Sequence, residues 1–142
     1  MDQTLLLERL ARGLLTLVAV ACIGNALFMI IIPMQWYAAL PSVQATGPAN
    51  GHLIVDVGIA YLCSGVLLAY GAWSPAIRAG AVMAGVLWLA AHSVVHIVEC
   101  LRGDAPVSRF LVDAPAVLGP PLVVITPLAV LRVTRKPRRK RI

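Results

Sequence analysis

Residues 51–73 read GHLIVDVGIAYLCSGVLLAYGAW, and this apolar run decides the fold. A helix of this length extends about 34 Å at ~1.5 Å per residue, slightly more than the hydrocarbon core of a bilayer. Asn50, just before it, is a suitable N-cap. Gly58, Ser64 and Gly65 provide the small side chains that let membrane helices approach closely. The run therefore predicts a packed transmembrane helix.

Further apolar runs lie on both sides of it, at about 14–32, 78–100 and 111–131. Of 142 residues, 60% are hydrophobic and 13% charged, whereas about a quarter of the residues in a soluble domain are charged. The sequence predicts an all-α polytopic membrane protein, a bundle of four transmembrane helices forming one domain over residues 1–142. The first run is too long for a signal-peptide core and is expected to be retained. The fourth contains four prolines, which predict a kinked helix.

Basic residues are concentrated at the end of the chain. Seven of the twelve lysines and arginines lie between Arg132 and Arg141. Because this tail follows an apolar run directly, we expect it to contact anionic lipid headgroups rather than nucleic acid. Together with Arg9, Arg12 and Arg78, the tail predicts that both termini are cytoplasmic by the positive-inside rule. The expected location is the bacterial inner membrane, with the loops at 34–50 and 101–110 facing outward.

The first loop and the end of the first span carry features with structural interpretations. Asn25 is predicted to form an interhelical hydrogen bond. Trp36 and Tyr37 are predicted to be interfacial anchors. The loop at 34–50 has no charge, so we expect it to lie on the membrane surface or to fold back over the helices.

Five polar residues stand out because they interrupt apolar spans. They are His52, Asp56, His92, His96 and Glu99. His52 and Asp56 are four residues apart, and the other three follow i, i+4, i+7 spacing, so each set shares one helix face. Counted from the turn between the second and third spans, Asp56 is about 19–20 residues away and His96 about 20–21, which predicts a similar depth. If the two faces meet, three imidazoles and two carboxylates converge, with Asp113 close enough to add a third carboxylate.

Such a cluster suits a transition metal such as iron, copper or zinc. Helical bundles build metal sites from residues at these spacings. The histidines and Glu99 are then the expected ligands, with Asp56 as a ligand or a general base. Haem is a weaker alternative because no spacing requires it.

Two other functions fit the same residues. The cluster can serve as a proton relay in a small proton-coupled transporter, with the kinked fourth span as its moving part. The chain can also be an accessory subunit of a larger membrane complex, or form a homo-oligomer, using its small-residue faces and basic tail as contacts. The sequence does not decide whether the protein is an enzyme.

Part of the chain resembles a family of small four-span bacterial inner-membrane proteins of uncharacterised function. The shared pattern is P-x-x-W-Y…T-G-P-x-N-x-H-x-x-x-D-x-G-x-A-Y-L, which covers residues 33–62 here. With His92 and His96 the similarity extends to about half of the chain. The resemblance implies a fold and a location, but no activity. Family members carry Arg before the aspartate where this chain has Val55, so Asp56 lacks that counter-ion and needs a cation or a histidine as its partner.

Overall fold

The computed structural model describes residues 3–125, and this part of the chain is helical with no strand. Its helices are α1 Gln3–Ile31, α2 Pro33–Ala39, α3 Pro41–Gln44, α4 Gly51–Trp73, α5 Arg78–Arg102, α6 Val107–Val117 and α7 Gly119–Ile125. The predicted all-helical class is confirmed. The basic tail and the last residues of the predicted fourth span lie outside the described residues.

Three helices are long and apolar enough to cross a membrane, namely Leu5–Ile31 within α1, α4 and α5. The segment expected as a fourth span is two helices, α6 and α7, bent by 40° relative to each other. The sequence lead before residue 14 is the first part of α1 rather than a separate segment. The protein is therefore a helical membrane protein with three candidate spans, or four if the bent pair counts as one.

The central helix is α4, which packs against α1 on one side and α5 on the other. Glycines allow these approaches. A Cβ added at Gly65 would lie 3.0 Å from the carbonyl oxygen of Ala19, and one at Gly85 would lie 3.0 Å from that of Ser64. The shared core consists of buried apolar residues from α1, α4, α5 and α7. The predicted role of Gly58, Ser64 and Gly65 agrees with their burial on α4.

A buried arginine joins α1, α4 and α5 at the end of the bundle where α4 turns into α5, called here the hairpin end. The Arg78 guanidinium donates from Nη1 to Glu8 Oε2 at 2.7 Å and from Nε to the carbonyl oxygen of Gly71 at 2.9 Å. A second carbonyl, that of Ala72, lies 3.4 Å from Nη2. The last carbonyls of a helix have no partner within the helix, and a cation there also interacts favourably with the helix dipole. Arg78 thus caps the C-terminal end of α4. The sequence had suggested only that it marks the orientation in the membrane.

At the opposite end, called the α2–α3 end, the uncharged loop forms two short helices that fold back. The Trp36 indole donates to Asn25 Oδ1 at 2.9 Å, which ties α2 to α1. Tyr37 donates to the carbonyl oxygen of Gly47 at 2.8 Å, and Gln44 donates to that of Ala38 at 2.8 Å. Asn25 does make a hydrogen bond between helices, and its partner is a residue expected to be only an interfacial anchor.

The break between α6 and α7 follows from its prolines. The carbonyl of Val117 would normally accept from the backbone N–H of residue 121, but Pro121 has none. The Ser93 hydroxyl lies 2.8 Å from the carbonyl oxygens of both Val117 and Leu89, so its one hydrogen is shared between them. This bond satisfies the freed carbonyl in an apolar environment and holds the break against α5.

Candidate functional site

The first of three polar arrangements is a pair at the start of α4. The Asn50 side chain caps the helix by accepting from Leu53 N at 3.1 Å. His52 Nε2 lies 3.4 Å from Oδ2 of Asp56, one helical turn further along α4, and the two side chains are 88% and 53% exposed. His52 is thus the histidine partner that Asp56 was predicted to need. The pair lies on the outside of the helix hairpin.

The second arrangement is a stack of rings between α4 and α5. Trp88 and His92 are nearly parallel, with centroids 4.9 Å apart and 10° between their planes. His96 meets His92 edge to face at 4.8 Å, and Tyr61 of α4 approaches His92 at 6.1 Å. Trp88 therefore covers one face of the His92 ring, and His96 continues the same side of α5 toward the α2–α3 end.

The third arrangement is a small cleft at the α2–α3 end. Its charged and titratable side chains are His96 and Glu99 of α5 together with Arg109 and Asp113 of α6. Its volume of about 50 Å³ suits about three to five water molecules or a solute of a few heavy atoms. His96 belongs to both the stack and the cleft, so the cleft connects to half-buried His92 through one ring contact.

The five residues predicted to converge are divided between these arrangements. Within residues 3–125, no group of three or more His, Cys, Asp or Glu side chains is close enough to hold a metal ion. His52 pairs with Asp56 and His92 with His96, whereas Glu99 lines the cleft. The single metal cluster expected from the sequence is therefore not assembled by this part of the chain.

The physical reason is rotation about α4, not depth along it. Tyr61 marks the face of α4 that meets the histidines of α5. At ~100° per residue, Asp56 lies about 140° and His52 about 180° around the helix from Tyr61. Residue counting from the turn predicts depth, but it does not predict which face of α4 meets α5.

Several residues of the site have no role in the sequence-based prediction. Arg109 stood out only as a loop charge, and Ser42 and Thr46 of the folded-back loop also line the cleft. Asp113, predicted as an additional carboxylate near His96 and Glu99, does line the same cleft. The signal that could have found Arg109 is its spacing of four residues from Asp113, which places both side chains on one face at the start of a helix.

Comparisons with family models, with curated proteins and with solved structures find no match. The resemblance to small four-span inner-membrane proteins therefore stays a prediction. The fold defines the class, a helical membrane protein with a cleft lined by charged side chains at one end of its bundle.

Proposed function

We propose that this protein binds a small polar solute in the cleft at the α2–α3 end, and that protonation of the His92–His96 pair is linked to that binding. The observation that carries the proposal is the position of His96, which contacts His92 at 4.8 Å and lines the cleft with Glu99 and Asp113. Proton-linked binding of this kind is the step that a small proton-coupled carrier requires.

The proposed membrane arrangement has four spans, with α6 and α7 together as the fourth. Both termini are cytoplasmic, and the α2–α3 end faces outward from the bacterial inner membrane. Two features support this orientation by the positive-inside rule. Arg9, Arg12 and Arg78 lie near the hairpin end, and the segment at 34–50 at the opposite end is uncharged. The tail at 132–142 then meets anionic headgroups on the cytoplasmic side.

The proton link rests on the closeness of the two imidazoles. Histidine is the side chain whose ordinary pKa allows it to change charge near neutral pH. Two adjacent imidazoles do not both charge readily because like charges repel, and the two rings here are 4.8 Å apart. A proton on His96 changes the charge of the cleft itself. By linkage, a solute that favours one protonation state must shift the pair toward that state.

Carriage across the membrane requires a movement as well as a site. Between the cleft and the hairpin end the core is apolar, and Leu15, Leu68 and Val82 are fully buried there. The proposed moving part is α6, which supplies Arg109 and Asp113 to the cleft and ends at the proline break. The Ser93 hydroxyl holds the end of α6 at this break, so the proposed movement is a pivot of α6 about that point.

A second hypothesis is a bound transition metal for redox chemistry or metal handling. Its geometric argument is weakened because no three His, Cys, Asp or Glu side chains within residues 3–125 are close enough together to hold a metal ion. Elemental analysis of the purified wild type and of a His92→Ala/His96→Ala variant tests it. Stoichiometric metal that is present in the wild type and lost in the variant would restore the metal hypothesis.

The accessory-subunit hypothesis also loses one of its arguments. Gly58 and Gly65, expected as contact surfaces for a partner, are already packed against α1. These small-residue faces are used to assemble the chain itself, which favours a function located in the cleft.

The test of the proton link is a pH titration of histidine NMR signals in lipid nanodiscs. We expect His92 and His96 to titrate in coupled steps, and His96→Gln to reduce His92 to a single step. Glu99→Gln should move the His96 midpoint because it removes a charge from the same cleft. His52→Gln is the matched control and should leave both curves unchanged. Independent single-step curves for His92 and His96, unaffected by either change, would refute the link.

A further inference from the structure

The charges of the cleft have no partners among the described side chains. Within residues 3–125, the two ion pairs are His52–Asp56 and Arg78–Glu8. Glu99, Arg109 and Asp113 are therefore not in ion pairs with one another, although they line one small cleft. Three charged groups with unused hydrogen-bonding capacity lie around a space that accepts a few heavy atoms.

The signs of these charges limit what fits. A simple cation would meet Glu99 and Asp113 favourably but would be repelled by Arg109. A simple anion would gain Arg109 and be repelled by both carboxylates. A ligand that carries both signs satisfies all three groups, since guanidinium binds carboxylate or phosphate and carboxylates bind ammonium.

The other walls agree with a small ligand of mixed polarity. Ser42 and Thr46 add hydroxyl groups, and Phe110 adds an aromatic surface. The Thr46 hydroxyl donates to the carbonyl oxygen of Val43 at 2.7 Å, so its lone pairs remain free to accept from an ammonium group. An aromatic face also attracts a cation.

We infer that the cleft binds a small zwitterion, whose ammonium group meets Glu99 and Asp113 and whose carboxylate or phosphate meets Arg109. This inference rests on the proposed function, because it names the class of solute for the same cleft. Neutral His96 leaves the four titratable groups with a net charge of −1, and protonated His96 brings the sum to zero.

This chemistry has two sources at the end of a membrane helix bundle. One is a free zwitterion such as glycine. The other is the headgroup of phosphatidylethanolamine, which joins an ammonium group to a phosphate. The experiment must separate them by controlling the lipid as well as the solute.

The experiment is calorimetric titration of the protein in phosphatidylglycerol nanodiscs with glycine, O-phosphoethanolamine, methylammonium and acetate. We expect one of the two zwitterions to bind at least tenfold more tightly than the single-charge probes. Arg109→Gln and Glu99→Gln should each reduce that affinity at least tenfold. Arg102→Gln and Asp104→Asn are the matched controls, because both residues are exposed near the cleft without lining it.

A second arm replaces half of the phosphatidylglycerol with phosphatidylethanolamine. Two results together would identify the headgroup as the source. Zwitterion binding is lost in these nanodiscs, and native mass spectrometry shows phosphatidylethanolamine retained by the wild type and released by Arg109→Gln. Unchanged binding identifies a free solute. Either result supports the zwitterion site.

Other outcomes overturn the inference and separate it from the proposed function. Methylammonium that binds as tightly as glycine, with no effect of Arg109→Gln, would replace the zwitterion site with a cation site and leave the proton link intact. Zwitterion binding that is unaffected by His92→Gln and His96→Gln would keep the inference and remove the proton link. If no probe binds and no phosphatidylethanolamine is retained by the folded protein, both are wrong.

Discussion

At the scale of single residues, the polar side chains of the described chain have separate tasks. Ser93 and Arg78 satisfy backbone carbonyls that helix ends or prolines leave open. His92, His96 and Glu99 lie on one face of α5, which leads from an aromatic stack to an open cleft. Residue type alone does not separate these roles, because each is a polar group within an apolar span. The groups that each side chain contacts distinguish one role from another.

Ser93→Ala should destabilise the protein by about 1–3 kcal/mol, the cost of leaving the half-buried carbonyl of Val117 without a donor. The measurement is the free energy of unfolding in mild detergent, followed by circular dichroism. Ser108→Ala, on an exposed position of α6, is the control and should have little effect. Equal stability of the Ser93 variant and the wild type would show that the hydroxyl does not support the break.

Arg78→Met should cost about 1.5–3 kcal/mol, since it removes charge-assisted hydrogen bonds and leaves Glu8 without its partner. Thermal unfolding of the detergent-solubilised protein checks this expectation. Arg12→Gln is the matched control, because Arg12 is exposed and interacts with the Trp73 ring at 5.2 Å, a contact worth about 0.5–1 kcal/mol at an exposed site. A larger loss from Arg12→Gln than from Arg78→Met would contradict the capping role.

At the scale of elements, the helices can be predicted from the sequence and their rotation cannot. Apolar runs and prolines indicate α4, α5 and the break in the fourth span, because length and backbone chemistry determine them. Whether His52 and Asp56 contact the histidines of α5 depends on which face of α4 packs against α5. That face is set by close approach at Gly65 and Gly85, a packing effect between helices that periodicity within one helix does not reveal.

Gly65→Ala should separate α1 from α4 and lower the melting temperature by several degrees. The added Cβ would lie 2.7 Å from Ile23 Cγ1 and 3.0 Å from the carbonyl oxygen of Ala19, so backbone as well as side chain must move. Gly80→Ala is the control. A Cβ there meets no atom within 4 Å, and alanine favours the helix by about 1 kcal/mol. A Gly65 variant as stable as the Gly80 variant would refute the tight contact.

At the scale of the whole molecule, the two ends of the bundle differ in chemistry. The hairpin end carries Arg12 and the ion pair of buried Arg78 with half-buried Glu8, whereas the α2–α3 end carries the cleft and the folded-back helices. Composition predicts the membrane environment, because a chain in which 60% of the residues are hydrophobic exposes apolar surface that lipid must cover. The cleft could not be predicted, since it forms where α3, α5 and α6 meet and none of them contains it alone.

The proposed topology predicts opposite accessibility of the two ends. In a variant whose native cysteines are replaced by alanine, Thr46→Cys should react with a membrane-impermeant maleimide in intact cells. Ser74→Cys should react only after the inner membrane is permeabilised. The reverse pattern would invert the orientation and place the cleft on the cytoplasmic side.

The central claim is that occupancy of the cleft is linked to protonation of the His92–His96 pair. The most direct measurement is calorimetric titration with the tighter binder of glycine and O-phosphoethanolamine. Titration in two buffers of different ionisation enthalpy gives the number of protons exchanged on binding. We predict a non-zero proton number for the wild type and for His52→Gln, and a value near zero for His96→Gln. A proton number that is zero in the wild type, or the same in the wild type and in His96→Gln, would contradict the claim.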